Sequence, residues 1–327
     1  MQYKKSTLLS HTDSDGLGSV ILAKYFGLPF DNVLCYDYGF EEEKDAVQIL
    51  RDSENIVVAD LTLTPALYDE LVGKGKSVQI FDHHETSQWV TGKPGCCWDN
   101  KRCGTKLFFD EYIKPRVGRY KPVVREFVDL VDVYDRWDLS SPLRPMSEDL
   151  QRVFVKYGDW SINNPLVRHD RYITAMLRKL DNTEHFGWNN VELMYIQKAK
   201  ESEEKAYQEA IATLQIRKDN KGRKFAVTSM WGKISMVCHR ILNIDKVDID
   251  YIVVAQRFHD TWGKISFRSR EDGFNLIELA GVSGHKASAG AALSPDDARR
   301  FLNENLCFKY KNDLITEIDS IIEEANL

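Results

Sequence analysis

The sequence predicts an α/β chain in which a doubly wound parallel-sheet domain is joined by a helical linker to a smaller α/β domain. Three observations carry this reading. Short apolar runs alternate with helical patterns through the first 85 residues, residues 190–215 form a polar, Glu- and Lys-rich helical stretch, and the turn signal Asn220-Lys221-Gly222 reopens strand-like runs beyond it. Alternation of strand and helix is the mark of a parallel sheet with helices on both faces. The implied divisions are 1–189, 190–215 and 216–327, and 327 residues suit two domains of about 100–200 residues each.

The elements follow in order. Ser6–Ser10 reads as a strand, followed by a polar loop and an apolar helix over Leu17–Phe26. Val33–Tyr38 is a second strand and Glu41–Arg51 a charged amphipathic helix. Asn55–Asp60, nearly continuous in apolar residues, suits a strand buried on both faces. Thr64 is placed to cap a helix that has Pro65 at its first position, and Lys76–Asp82 is a fourth strand. Thr105–Ile113, Val123–Tyr134 and Arg168–Lys179 carry apolar residues at helical spacing. The stretch 190–215 reads as a solvated connector. Beyond it, Lys224–Ser229, Tyr251–Gln256 and Lys264–Arg268 look like strands, Ser294-Pro295-Asp296-Asp297 is a helix start, and Asn312–Glu324 is a closing helix.

Composition excludes several classes. With 43% hydrophobic and 29% charged residues the chain is ordinary globular material, neither disordered nor collagen-like. No apolar run approaches the ~18 residues of a membrane span, and the basic start before His11 has too short an apolar stretch for a signal peptide. A cytoplasmic location follows by default. The formal charge of −6 argues against a non-specific grip on long nucleic acid, which calls for a basic excess. A nucleic-acid substrate would therefore be short, or metal ions would supply the positive charge. Six cysteines show no CxxC spacing. Cys96-Cys97 with Cys103 hints at zinc, but adjacent cysteines rarely share a tetrahedral site, so ordinary reduced thiols are expected.

The chemistry lies at the strand ends, where ligands bind in a doubly wound sheet. Strand one is followed by His11-Thr12-Asp13-Ser14-Asp15-Gly16, strand three ends at Asp60, and strand four at Asp82-His83-His84. The run Phe127–Val131 then delivers Asp132, with Asp135 and Asp138 close behind. Alone, Asp13 or Asp60 reads as a turn or helix cap. Together, so many acids on one sheet edge would repel strongly unless two divalent cations joined them. Gly16 and Gly18 are expected to give the turn conformational room.

These motifs resemble the DHH phosphoesterases that carry a DHHA1 substrate domain. His11 to Ser19 is similar to the first motif of that family, Asp60 to the second, Asp82-His83-His84 to the third and Asp132 to the fourth. Gly284-His285-Lys286-Ala287-Ser288-Ala289-Gly290 is similar to the DHHA1 signature, with Val282-Ser283 where glycines are common. Within the family, the start at His11, the helix from Gly104 and the segment Asp132–Asp138 look most like the nano-RNase B type of oligoribonuclease.

The resemblance implies two divalent ions, most commonly Mn²⁺. One would be held by His11, Asp13 and Asp60, the other by Asp15, Asp60, His83 and Asp132. The pair would acidify a bridging water to hydroxide and neutralise charge on phosphorus oxygens. His84 would touch the scissile phosphate and Asp82 would orient an imidazole. Asp135 reads as a helix-surface acid, its alternative being to replace Asp132. In the second domain Arg268, Gly284, His285, Ala289 and Gly290 are expected to grip a terminal phosphate or nucleotide, while Arg270 is a solvated neighbour. Trp89, Trp137 and Phe267 read as core residues that could alternatively stack bases. The implied activity is hydrolysis of short RNA or DNA oligonucleotides to 5′-mononucleotides, without a membrane and with a homodimer allowed. Alternatives are a phosphatase of 3′-phosphoadenosine-5′-phosphate, a cyclic (di)nucleotide phosphodiesterase, a single-stranded DNA exonuclease, or a nucleotide-binding module without catalysis.

Overall fold

The protein is seen in a computed structural model that describes residues 5–218, 222–229, 234–243, 248–258, 262–270, 273, 275–276, 283–285 and 288–293. The helix start at Ser294 and the closing helix Asn312–Glu324 lie outside the described residues, as do Lys286 and Ala287. The chain divides into two compact units, 1–196 and 197–327.

The first unit begins with β1 (Ser6–Ser10), α1 (Ser14–Tyr25), β2 (Asn32–Cys35) and, after a single 3-10 turn at Phe40–Glu42, α2 (Lys44–Asp52). It continues through β3 (Asn55–Ala59), α3 (Pro65–Gly73), β4 (Ser77–Asp82), a 3-10 stretch Glu85–Val90 and the two-residue β5 (Cys97–Trp98). The sheet runs β2-β1-β3-β4-β5 with every neighbouring pair parallel, as the alternation predicts. Side chains alternate between its faces. Leu8, Val57, Ala59 and Phe81 join the core beneath α1 and the later helices, while Leu9, Ile56, Val58 and Ile80 join the core under α2 and α3. Both faces are covered, which explains the near-continuous apolar interior of β3. Thr64 does cap α3, accepting from the Leu67 N–H at 3.4 Å.

The helical half contains α4 (Gly104–Leu107), which runs directly into a π-helical turn (Phe108–Ile113) and α5 (Lys114–Val117), then α6 (Pro122–Asp135), α7 (Arg144–Tyr157), α8 (Pro165–Arg168) and α9 (Asp170–Asn182). The expected connector is one helix, α10 (Asn190–Thr213). Its Ile196 packs in the core of the first unit, and its Ala206 and Ala210 in that of the second.

The second unit continues with β6 (Gln215–Lys218), β7 (Lys224–Ser229), α11 (Ile234–Leu242), β8 (Tyr251–Phe258), β9 (Trp262–Ser269), β10 (Ser283–His285) and β11 (Ser288–Leu293). Its sheet runs β10-β11-β9-β8-β7-β6, antiparallel except for the β7–β8 pair. The residues read as a glycine-rich loop, Gly284, His285, Ala289 and Gly290, are strand residues, with Gly284 opposite Ala289 and His285 opposite Ser288. Among the described residues, no helix is long and apolar enough to cross a membrane.

At the junction of α8 and α9, His169 is fully buried. Its ring stacks on Phe154 at 4.4 Å between centroids and meets Trp160 edge-on at 5.3 Å. Neither ring nitrogen has a hydrogen-bond partner, so burial, aided by Arg168, lowers its pKa from 6.5 to about 4. The folded state thus resists a proton that the unfolded chain accepts. This contribution is fully present above about pH 6.5 and is lost as pH falls toward 4. Between those limits wild-type stability is expected to drop by on the order of 2 kcal/mol more than that of His169→Gln, measured by urea denaturation. Parallel pH profiles for the two proteins would contradict it.

Candidate metal centre

The carboxyl ends of β1, β3 and β4 adjoin where the chain turns to opposite edges of the sheet, the place where doubly wound folds bind ligands. After β1 the chain turns sharply into α1. Asp13 caps that helix, its Oδ1 accepting from the N–H groups of Asp15 (3.0 Å) and Gly16 (2.9 Å). Gly16 is required for space. A Cβ there would lie 2.3 Å from the His11 carbonyl oxygen. The need at Gly16 is therefore close approach rather than the conformational freedom expected of it, and Gly18 similarly faces the Thr105 side chain.

Asp60 follows β3 directly. Its N–H extends the ladder to Phe81 O at 2.9 Å, yet its φ of +57° lies in the left-handed region that favours glycine or asparagine. The residue is 1% exposed. Gly104, the first residue of α4, packs against it so tightly that a Cβ would sit 2.3 Å from the Asp60 Cβ. The same helix start binds Asp15, whose two carboxylate oxygens accept from the Gly104 and Thr105 N–H groups at 2.7 Å each. A carboxylate at a helix N-terminus answers donors that the helix leaves unpaired.

Around Asp60 the groups converge. His11 Nδ1 is 3.0 Å from Asp13 Oδ2 and 3.8 Å from Asp60 Oδ2. His83 Nε2 is 3.3 Å from Asp60 Oδ1, 3.3 Å from Asp135 Oδ2 and 3.7 Å from Asp15 Oδ2. Two three-residue sets, His11 with Asp13 and Asp60, and Asp15 with His83 and Asp135, each offer ligand atoms within 4.8 Å of one another. Asp60 with Asp82, His83 and His84 forms a further overlapping set.

The electrostatics are those of an uncompensated cluster. Burial, then Asp15, Asp13, Asp135 and Asp82, push the Asp60 carboxyl well above the usual range. Burial and Asp15 do the same to Asp135 against the opposing pull of His83. Burial opposes protonation of His11, but Asp13, Asp37 and Asp15 outweigh it and raise its pKa to about 9. His83 is raised likewise, against burial, by Asp135, Asp15 and Asp82. Both oxygens of Asp60, Asp135 Oδ2, His11 Nδ1 and His83 Nε2 are buried without a hydrogen-bond partner. Buried polar atoms are nearly always satisfied. Five adjacent exceptions, all of them carboxylate oxygens or imidazole nitrogens, fit hard divalent cations.

Asp132 lies outside this cluster. Its carboxylate accepts from the Cys103 N–H (2.9 Å), Lys106 Nζ (2.8 Å) and Arg136 Nε and Nη2 (3.0 and 3.1 Å). Burial opposes, but these donors hold it below the usual carboxylate range. The position expected for Asp132 is taken by Asp135, one helical turn further along α6, rather than by a surface acid. The signal was available in Arg136, which at i+4 satisfies Asp132.

Asp82 stands beside the cluster. It accepts from the His83 N–H (2.8 Å), from His84 Nδ1 (2.7 Å) and from the Ser87 hydroxyl. Burial opposes, but His84 and Ser87 keep its carboxyl low. The far nitrogen of His84, Nε2, meets the hydroxyl of Tyr38 at 2.7 Å. Burial and the carboxylates of Asp60, Asp82, Asp13 and Asp135 push the Tyr38 phenol up. Tyr38 and its neighbour Asp37, which lies 3.5 Å from His11 Nε2, escaped the sequence reading, because a Tyr and an Asp after a strand carry no distinctive spacing.

The other candidates fall elsewhere. Cys35, Cys96, Cys97, Cys103 and Cys238 are free thiols, and none belongs to a ligand group. Phe267 is fully buried, Trp89 packs edge-on against Tyr68, and Trp137 lies under the Arg144 guanidinium, so each is a packing residue. In the second unit Arg268 donates to Phe267 O (2.8 Å) and Ser235 Oγ (3.2 Å). Through β11 it sits in register with the hairpin, Arg268 opposite Ser288 and Ser288 opposite His285. Arg270 is no solvated neighbour, since it donates to Leu242 O at the end of α11 and to Ile249 O just before β8.

Comparison with solved structures gives the fold a context. The chain is similar to a pGpG-specific phosphodiesterase of Vibrio cholerae, with a TM-score of 0.57 and 13% identity over 97% of this chain and 99% of that one. It is similar also to an exopolyphosphatase-related protein of Bacteroides fragilis, with a TM-score of 0.53 and 13% identity over 96% and 94%. A third likeness is to RecJ of Thermus thermophilus, in complex with Mn²⁺, with a TM-score of 0.52 and 17% identity. All of this chain matches there, over 53% of RecJ. The chain shares the fold of these three proteins, and at these identities the likeness is one of fold alone. No protein-family profile and no curated protein sequence matches the chain.

If cations answer the charge in this cluster, removing one carboxylate should help the metal-free protein. Asp60→Asn, an isostere that tolerates positive φ, is expected to gain on the order of 1–3 kcal/mol in EDTA. It should also lose the rise in melting temperature that Mn²⁺ gives the wild type. Urea denaturation and a thermal melt with and without Mn²⁺ check both halves. Equal stabilisation by Mn²⁺ in the two proteins would count against the centre.

Proposed function

We propose that the chain is a divalent-metal-dependent phosphodiesterase that hydrolyses dinucleotides and short oligonucleotides to 5′-mononucleotides. The observation that carries this is the group of five buried, unpartnered ligand atoms around Asp60. His11, Asp13 and Asp60 would hold one cation, and Asp15, Asp60, His83 and Asp135 the other. Asp60 is the natural bridge, because its Oδ2 faces His11 and its Oδ1 faces His83. Bound cations supply Lewis acidity toward phosphate oxygens and a water acidic enough to react near neutral pH.

The chain's own residues do the rest. The N-terminal N–H groups of α4 fix Asp15, and Lys106 and Arg136 neutralise Asp132 beside it. Asp82 holds the His84 ring through Nδ1, and His84 would contact a phosphate group. No protein nucleophile is required. In the second unit, Arg268 with Gly284, His285, Ala289 and Gly290 would contact a phosphate or nucleotide, a guanidinium being suited to paired hydrogen bonds with phosphate oxygens.

The net charge of −6 favours a short substrate over a long polyanion. The Vibrio protein of similar fold is named for a dinucleotide, pGpG, and the RecJ structure contains Mn²⁺, which makes Mn²⁺ the first metal to assay. The test is turnover of 5′-labelled RNA from two to twenty-four nucleotides in Mn²⁺. Turnover is expected to be fastest on the shortest chains, and equal rates at every length would defeat the length-selective reading. A parallel DNA series, 3′-phosphoadenosine-5′-phosphate and cyclic dinucleotides decide among the substrate classes. Asp60→Ala should abolish turnover. Asp135→Asn should cost more than about a thousandfold, and Asp132→Asn, which only supports the site, about ten- to a hundredfold. The reverse order would return the ligand role to Asp132.

A further inference from the structure

We propose that Tyr38 is a positioning residue for His84, fixing the orientation of the ring that meets the substrate. The inference deepens the phosphodiesterase reading and rests on it for the identity of the anion. The geometry is a chain of three side chains, two from the end of β4 and one from the segment after β2. Asp82, buried at the end of β4, binds His84 Nδ1 at 2.7 Å, and His84 Nε2 meets the Tyr38 hydroxyl at 2.7 Å. A carboxylate can only accept, so the hydrogen on neutral His84 lies on Nδ1 and the Tyr38 hydroxyl donates to Nε2.

The ring of Tyr38 reinforces this. It lies 4.9 Å from the His11 ring and meets the His84 ring edge-on at 5.5 Å. Tyr38 is 56% exposed, so the side chain is not held there by burial in a core. An aromatic ring left largely in water, whose polar tip turns inward to an imidazole beside a carboxylate cluster, is placed for its hydroxyl. A second tie to the same segment comes from Asp37, which accepts from the Thr12 hydroxyl. The chain after β2 is thereby anchored beside His11, and Tyr38 is held over His84. With one ring nitrogen held by Asp82 and the other by Tyr38, the His84 ring is fixed in its plane beside the cluster.

The variant is Tyr38→Phe, which keeps the ring between the two imidazoles and removes only the hydroxyl. With a dinucleotide and Mn²⁺, kcat/KM is expected to fall about tenfold, the loss of one hydrogen bond near charge. On a His84→Ala background, Tyr38→Phe should cause no further loss, because the partner through which it acts is gone. The readout that needs no turnover is the ¹⁵N signal of the histidine rings in the metal-free protein. His84 Nε2 should shift in Tyr38→Phe while its Nδ1 bond to Asp82 stays. An unmoved His84 signal would overturn the proposal, as would a full tenfold loss repeated on the His84→Ala background. If the wild type cleaves no phosphodiester, the proposed function falls, and the ring signal still decides whether Tyr38 holds His84.

Discussion

The structure is organised around a charge conflict. Asp60 and Asp135 bring carboxylate oxygens into a shielded space already bordered by Asp13, Asp15 and Asp82, and nothing among the described residues donates a hydrogen bond to either oxygen of Asp60 or to Asp135 Oδ2. Like charges at that range are costly where water is sparse. The surrounding fold does not relax the conflict but enforces it. Gly104 is pressed against Asp60 with no room for a Cβ, Gly16 against the His11 carbonyl, and Ser10 Oγ lies 2.8 and 2.9 Å from the carbonyls of Gly16 and Ala59. Such a framework favours a positive charge at its centre.

Compensation within the cluster is graded, and the gradation separates ligands from supports. Asp132 has four donor contacts and is fully answered. Asp82 is answered by backbone, serine and histidine. Asp13 and Asp15 each receive two backbone N–H groups, which orient them while their charge remains available. Both oxygens of Asp60 and Oδ2 of Asp135 receive none. The groups with least support from the protein are thus the ones best suited to meet a divalent cation.

Much of this was legible in the sequence because it depends on strand ends. β1 spans the residues its apolar run indicated, and a side chain just beyond a parallel strand must lie at the carboxyl edge whatever the packing. That reasoning places His11, Asp13, Asp60, Asp82 and His83 together without knowledge of any contact. It fails on α6, where the rotation of a helix decides between Asp132 and Asp135. It misses α7 because Arg144 and Arg152 are buried on the face that would otherwise read as an apolar stripe. It reads β10 and β11 as a loop because Ser-Gly-His and Ser-Ala-Gly-Ala-Ala carry almost no strand propensity. β11 forms by pairing on β9, a longer-range effect with no local signature, and β10 by pairing on β11.

Asp60 joins the two halves of the argument. It is the residue shared between the ligand groups on either side, and it holds a left-handed backbone conformation at the end of a fully buried strand. Non-glycine residues pay for that conformation, and a glycine would avoid the cost while losing the carboxylate. Strain, burial and repulsion thus accumulate on one side chain, and each would be reduced by a common substitution. Their coincidence is hard to explain as packing, since the core immediately behind Asp60, formed by Val58, Ala59 and Leu61, is apolar and fully buried without it. It follows naturally if the position must present two oxygens in opposite directions, one toward His11 and one toward His83. Only the turn out of β3 that the left-handed conformation makes, with Gly104 yielding the space beside it, points them both ways.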